Sequence, residues 1–126
     1  MKFEKSAYGL SVSDGKFFYC EVVTGYIFSI PNAKGDHRFA THKDEKGNWE
    51  LTDYLTGKSC TSLMFKTRKE VVEYAKRVVI KFESYDSVLY QVLTELFEKI
   101  LRDGRLSIKD YEKLKENRLR ELRMRF

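Results

Sequence analysis

The chain has 126 residues, 42% of them apolar and 14% aromatic, which is enough for one compact domain with its own core. Its formal charge is +5; residues 1–66 hold nine Lys/Arg against eight Asp/Glu and residues 67–126 hold fifteen against eleven, so an anion-binding surface is expected in the second half. The start, MKFEKSAYGL, has no apolar signal core and no apolar run reaches the roughly 18 residues that span a bilayer, so a soluble cytoplasmic protein is expected, and Cys20 and Cys60, without a CxxC neighbour, read as two buried thiols.

Up to Lys66 the apolar residues alternate, as strands require. Tyr8, Leu10 and Val12 form one run, Phe18, Cys20 and Val22 a second, and Tyr26, Phe28 and Ile30 a third. Asp14-Gly15 predicts a tight hairpin between the first two, Thr24-Gly25 a second turn, and Pro31–Asp36 a longer loop. His37–Lys43, the turn Asp44–Asn48 and Trp49–Leu55 make a further hairpin, after which Thr56-Gly57-Lys58 turns into a strand over Ser59–Phe65. Both faces of Phe17–Val23 carry bulky groups, which predicts a strand covered on both sides, or covered on one and offered to a partner on the other.

After Lys66 the period lengthens to about 3.6. Thr67-Arg68-Lys69-Glu70 is a capping box, opening a helix whose stripe is Val71, Val72, Ala75, Val78, Val79 and Phe82. Ser84–Ser87 favours a break before a second stripe from Val88 to Leu101, and Gly104 reads as its C-cap. Ser107 caps a last helix running towards the C-terminus. The expectation is a single α+β domain over residues 1–126: an antiparallel β-meander of about five to six strands in 1–66, followed by two or three helices in 67–126 that pack on it.

The search for chemistry returns little. Gly57-Lys58-Ser59 echoes the end of a phosphate loop, but Thr52 stands where the first glycine is needed and a β-prone run follows instead of a helix. His37 and His42 lie five apart in a predicted strand, which places them on opposite faces and separates them as metal ligands. Asp14-Gly15-Lys16 and Asp44-Glu45-Lys46 have an acidic-x-Lys form that turn chemistry already explains. No catalytic residue, metal or cofactor is expected.

The C-terminal ENRLRELRMRF sets Arg118, Arg120, Arg123 and Arg125 around an apolar stripe of Leu119, Leu122 and Phe126. Such arginines rim a packed helix or contact phosphates and acidic partners. Lys58, at the tip of its turn, is a further candidate contact.

Residues 37–77, HRFATHKDEKGNWELTDYLTGKSCTSLMFKTRKEVVEYAKR, carry W-x-x-T at Trp49 and Thr52, T-G at Thr56-Gly57 and T-x-x-E at Thr67 and Glu70. In this β-β-β-α arrangement the segment resembles a small module of accessory and anti-defence proteins of phages, plasmids and other mobile elements, with Lys58 where that pattern usually has a small or aliphatic residue. The resemblance implies a non-enzymatic inhibitor of a host defence nuclease, of the anti-CRISPR or anti-restriction type, that acts by protein contact. The alternative is a DNA- or RNA-binding accessory protein that uses the basic C-terminal helix.

Overall fold

Alternation over residues 4–32 produces two long antiparallel strands, β1 (Glu4–Ser13) and β2 (Phe17–Asn32), in register from Ser13↔Phe18 to Glu4↔Ile27. Asp14 shapes the turn between them, its Oδ1 accepting the amides of Lys16 at 2.9 Å and Phe17 at 2.8 Å. β3 (Gly35–Lys43) and β4 (Trp49–Asp53) complete a meander, and helices α1 (Arg68–Glu83) and α2 (Ser87–Asp103), strand β5 (Arg105–Ser107) and helix α3 (Ile108–Arg123) follow. The computed structural model describes residues 1–60, 63–83 and 86–124. The sheet order is β1-β2-β3-β4, with β5 antiparallel to the start of β2. The chain is α+β, and among the described residues no helix is long and apolar enough to cross a membrane.

The period of two divides the sheet into two faces. On one, Phe28, Ile30, Phe39 and Leu51 pack against Val71, Val72, Ala75, Val78 and Val79 of α1. Further along the same face, Phe18 and Cys20 meet Val92, Leu93, Leu96 and Ile100 of α2 and Tyr111 and Leu122 of α3. The opposite face holds a smaller core of Tyr8, Ile27 and Ala40, with Leu10, Val23 and Tyr54 against it. Among the described residues no helix contributes to that core. The sheet curls over it instead, until the Ser11 amide donates to the Gly57 carbonyl at 2.8 Å and the turn after the last strand reaches the first.

Several expectations need correction. Thr24-Gly25 is not a turn: β2 runs unbroken through it, because Gly25 lies so close to the Thr41 carbonyl that a side chain there would overlap it. Pro31–Asp36 is not a long loop, since Pro31 and Asn32 belong to β2, Gly35 and Asp36 to β3, and only Ala33-Lys34 turn. The strand foreseen over Ser59–Phe65 reduces to two isolated bridges on the outer edge of β4, Thr52↔Ser59 and Trp49↔Phe65, with Thr61 and Ser62 outside the described residues. β5 was not foreseen; three residues with a single buried side chain, Leu106, leave no period to read. Both thiols are half-buried rather than buried.

The helices follow the sequence more closely. The Thr67 hydroxyl accepts the Glu70 amide at 3.2 Å, and Ser107 accepts that of Asp110 at 3.1 Å. The chain does break between α1 and α2: Asp86 caps α2 through the amides of Val88 and Leu89, while Ser84 and Tyr85 lie outside the described residues. Gly104, at φ 88°, closes α2. Leu101, expected in the buried stripe, is exposed.

Gly57 adopts φ 67°, and a Cβ there would run into the Phe97 ring. Gly57→Ala should therefore cost about 3 kcal/mol in urea unfolding, combining left-handed strain with overpacking. Gly15→Ala, whose φ is 93° with open space around it, should cost about 1 kcal/mol.

Candidate functional site

Trp49, Leu51 and Asp53 share a face of β4, so the carboxylate ending the strand is carried in among the helices. Only 5% of the Asp53 side chain is exposed. Its Oδ1 accepts from His37 Nε2 at 2.8 Å and from the Tyr90 hydroxyl at 2.9 Å, and its Oδ2 from the Thr56 hydroxyl at 2.6 Å. A carboxylate only accepts, so Nε2 carries the imidazole proton. Three donors on one buried charge tie β3, the turn after β4 and α2 together.

Two small clefts flank this cluster. One, of about 150 Å³, is lined by Asn32, Lys34, Asp36, His37, Ser87 and Tyr90. The other, of about 190 Å³, has Thr56, Lys58, Cys60 and Tyr90 on its walls. Burial, with the charge of Asp53 adding to it, pushes the Cys60 thiol up to about 12, so it is not a thiolate nucleophile at neutral pH.

A second chain of polar groups lies on the opposite face. Glu50 Oε2 is 3.0 Å from His42 Nε2, and His42 Nδ1 is 2.8 Å from the Tyr8 hydroxyl. Both ring nitrogens of His42 thus have a partner, Nε2 the carboxylate and Nδ1 the phenol. Burial, helped by Glu50, holds the Tyr8 hydroxyl above the ordinary phenol range. The histidines thus occupy opposite faces, as their spacing requires, and among the described residues no group of three His, Cys, Asp or Glu is placed to hold a metal.

The arginine candidates are built into the helical half. Arg118 forks onto Glu95, with Nε at 2.9 Å and Nη2 at 3.1 Å, and its Nη1 reaches Glu121 at 2.8 Å. Arg123 Nη2 is 2.9 Å from Asp86, the cap of α2. Both pin α3 to α2. Arg120 is exposed, while Arg125 and Phe126 lie outside the described residues. Lys58 sits at the surface with its ammonium turned over the Tyr111 ring, 5.6 Å from the centroid; burial and then the nearby Lys115 lower its pKa, and Glu112 opposes them.

Sequence reasoning missed the Asp53 cluster. Its one signal was an acidic residue in phase with Trp49 and Leu51, while Tyr90 comes from a helix 37 positions away. Comparison of the chain with protein-family models, with curated proteins and with solved structures found no match.

Asp53→Asn should lower stability by about 2 kcal/mol, since an amide cannot accept from all three donors. The carboxylates joining the last helices also set an acid limit. Arg118 holds Glu95 below the ordinary range, and the Leu89 amide followed by Arg123 does the same for Asp86. A depressed folded pKa gives stability that is complete above the unfolded value and is lost as pH falls through the folded one. Stability should therefore be insensitive to these groups from about pH 7 to 5 and decline below about pH 4. Glu95→Gln should flatten that decline in an acid titration followed by circular dichroism.

Proposed function

We propose that the chain is a non-enzymatic binding protein that acts by protein–protein contact along the outer edge of β1. The observation that carries this reading is an unpaired strand edge ending in apolar surface. Because the Ser11 amide turns outward to Gly57, alternation sends the main-chain groups of Lys5, Ala7 and Gly9 away from β2 as well. Among the described residues no strand lies on that side of β1. At its Gly9 end a cleft of about 150 Å³ opens between Tyr8, Tyr54, Leu55, Phe97 and Leu101. Around it Leu55 is 40% exposed, Leu101 51%, and Val22, paired with Gly9, 69%. An extended segment of a partner gains main-chain hydrogen bonds on such an edge and places a side chain in the cleft.

Asp53, His37 and His42 are engaged in holding the sheet, which supports binding over catalysis. The resemblance of residues 37–77 supplies the class of partner: a host defence nuclease, with this chain as its mobile-element inhibitor. The nucleic-acid alternative draws on α3, where Arg118 and Arg123 already have carboxylate partners.

The test is capture of purified CRISPR and restriction nucleases by the immobilised chain, repeated with Ala7→Pro, which removes an outward amide, and with Leu101→Glu. Each variant should lower capture about tenfold or more while melting cooperatively. Equal capture by both variants, or turnover of nucleic acid or nucleotides by the purified chain, would overturn the reading.

A further inference from the structure

Beyond Glu4 the sheet loses its edge strand. The β1–β2 ladder ends at Glu4↔Ile27, yet β2 continues to Asn32 with β3 alone beside it. The residues of β2 that face β1 alternate with those that face β3, so the Ser29 N–H and C=O and the Pro31 C=O point into the vacated side. Among the described residues nothing pairs with them.

β1 ends at Glu4, and the preceding Phe3 packs onto the sheet. Its ring packs 5.5 Å from that of Phe28 and 6.4 Å from that of Tyr26, and the Arg68 guanidinium caps both Phe3 and Tyr26, at 4.4 and 4.7 Å. Beside Phe3 lies a groove of about 880 Å³, bordered by Lys2, Glu4, Ser29, Pro31, Arg38 and Lys76. On the far side of Phe3 it adjoins a second cleft that adds Arg68, Lys69 and Glu73. Lys2, Arg38, Arg68, Lys69 and Lys76 therefore face Glu4 and Glu73. The one ion pair among them, Lys76 with Glu73, spans 3.4 Å between half-exposed groups and neutralises little.

We propose that this groove docks an extended acidic segment of a partner protein, which continues the line of β1 by pairing with Ser29 and sets its carboxylates against Lys2, Arg38 and Lys76. The inference rests on the reading of the chain as a protein-binding module and names a second point of attachment with its chemistry. Backbone recognition selects polypeptide over nucleic acid. A peptide strand both donates and accepts, matching the Ser29 C=O and N–H together, whereas phosphate only accepts and would face the Ser29 and Pro31 carbonyls unpaired. Pro31 has no amide to offer, so pairing ends there.

The probes are a labelled short peptide of alternating Glu and Val, its Lys and Val counterpart, and single-stranded oligo-dT, each titrated into the isotope-labelled full chain. The acidic peptide should bind about tenfold or more tighter than the basic one, weaken as salt rises from about 50 to about 500 mM, and shift the Ser29 amide resonance. Ser29→Pro removes the outward amide and leaves the β2–β3 hydrogen bonds, and should reduce affinity at least about tenfold. Lys2→Glu with Lys76→Glu should do the same, and carries the test should the proline variant misfold. An unmoved Ser29 amide, undiminished binding by the charge-reversed chain, or oligo-dT competing equally for the same amide would overturn the proposal. A nuclease captured equally by the wild-type and charge-reversed chains would remove the groove and leave the protein-binding reading, whereas failure of the wild-type chain to capture any, with the peptide still shifting Ser29, would remove the nuclease as the partner and leave the groove.

Discussion

The architecture depends on a single strand remaining straight where its sequence invites a turn. β2 carries three ladders, to β1 along one side and to β3 and β5 along the other. It does so because Gly25 brings its backbone against the Thr41 carbonyl and the Cβ of His42, where any side chain would collide. A bare backbone at that position lets β3 leave β2 after Thr41 and continue with β4 through Lys43, so the sheet curls without a break in its longest strand. Both helical cores are then laid on one ribbon, the α1 core on its second half and the α2–α3 core on its first.

Curling also sorts the polar groups. Inside, His42 and Tyr8 satisfy one another on the face away from α1, and Asp53 gathers His37, Tyr90 and Thr56 where the sheet meets α2. Buried networks of this kind specify an arrangement more than they add net stability, because each hydrogen bond replaces one made with water. The strand edges are treated differently. The outer edge of β4 is covered by the bridges to Ser59 and Phe65, whereas β1 from Lys5 to Gly9 and the end of β2 face outward, with Lys5, the Ser6 hydroxyl and Pro31 to discourage pairing. One edge closed and another left open, beside apolar surface in one place and cations in another, is the asymmetry on which the binding reading stands.

Much of the fold was legible because local rules and tertiary outcome agree. Asp14-Gly15, Thr67 with Glu70, Ser107 and Gly104 each did what their chemistry dictates, and the change of period after Lys66 marked the boundary between the meander and the helices. The misreadings share a cause. A glycine needed for close approach looks, in one dimension, like a glycine needed for φ > 0, so Gly25 reads as a turn although its backbone is not in that region. Leu101 completed a stripe by spacing but ended over Gly9, where the sheet offers nothing large to pack against. The candidate site was less legible than the fold. Asp53 and Tyr90 meet across 37 positions, and Arg118 and Arg123 read as free cations until Glu95 and Asp86 were brought beside them.

β5 has a consequence for the order in which the chain assembles. The meander is made of neighbouring hairpins, each closing a short loop, so β1 to β4 can zip up from local contacts. Phe17 must wait for Ser107, which arrives only after two helices have been made. Until then Phe18 and Cys20 lack the cover that α2 and α3 give them. During synthesis this half of the sheet stays incomplete until residues 105–107 have left the ribosome. The three residues of β5 thus act as a late latch, joining a segment made after two helices to one of the first strands.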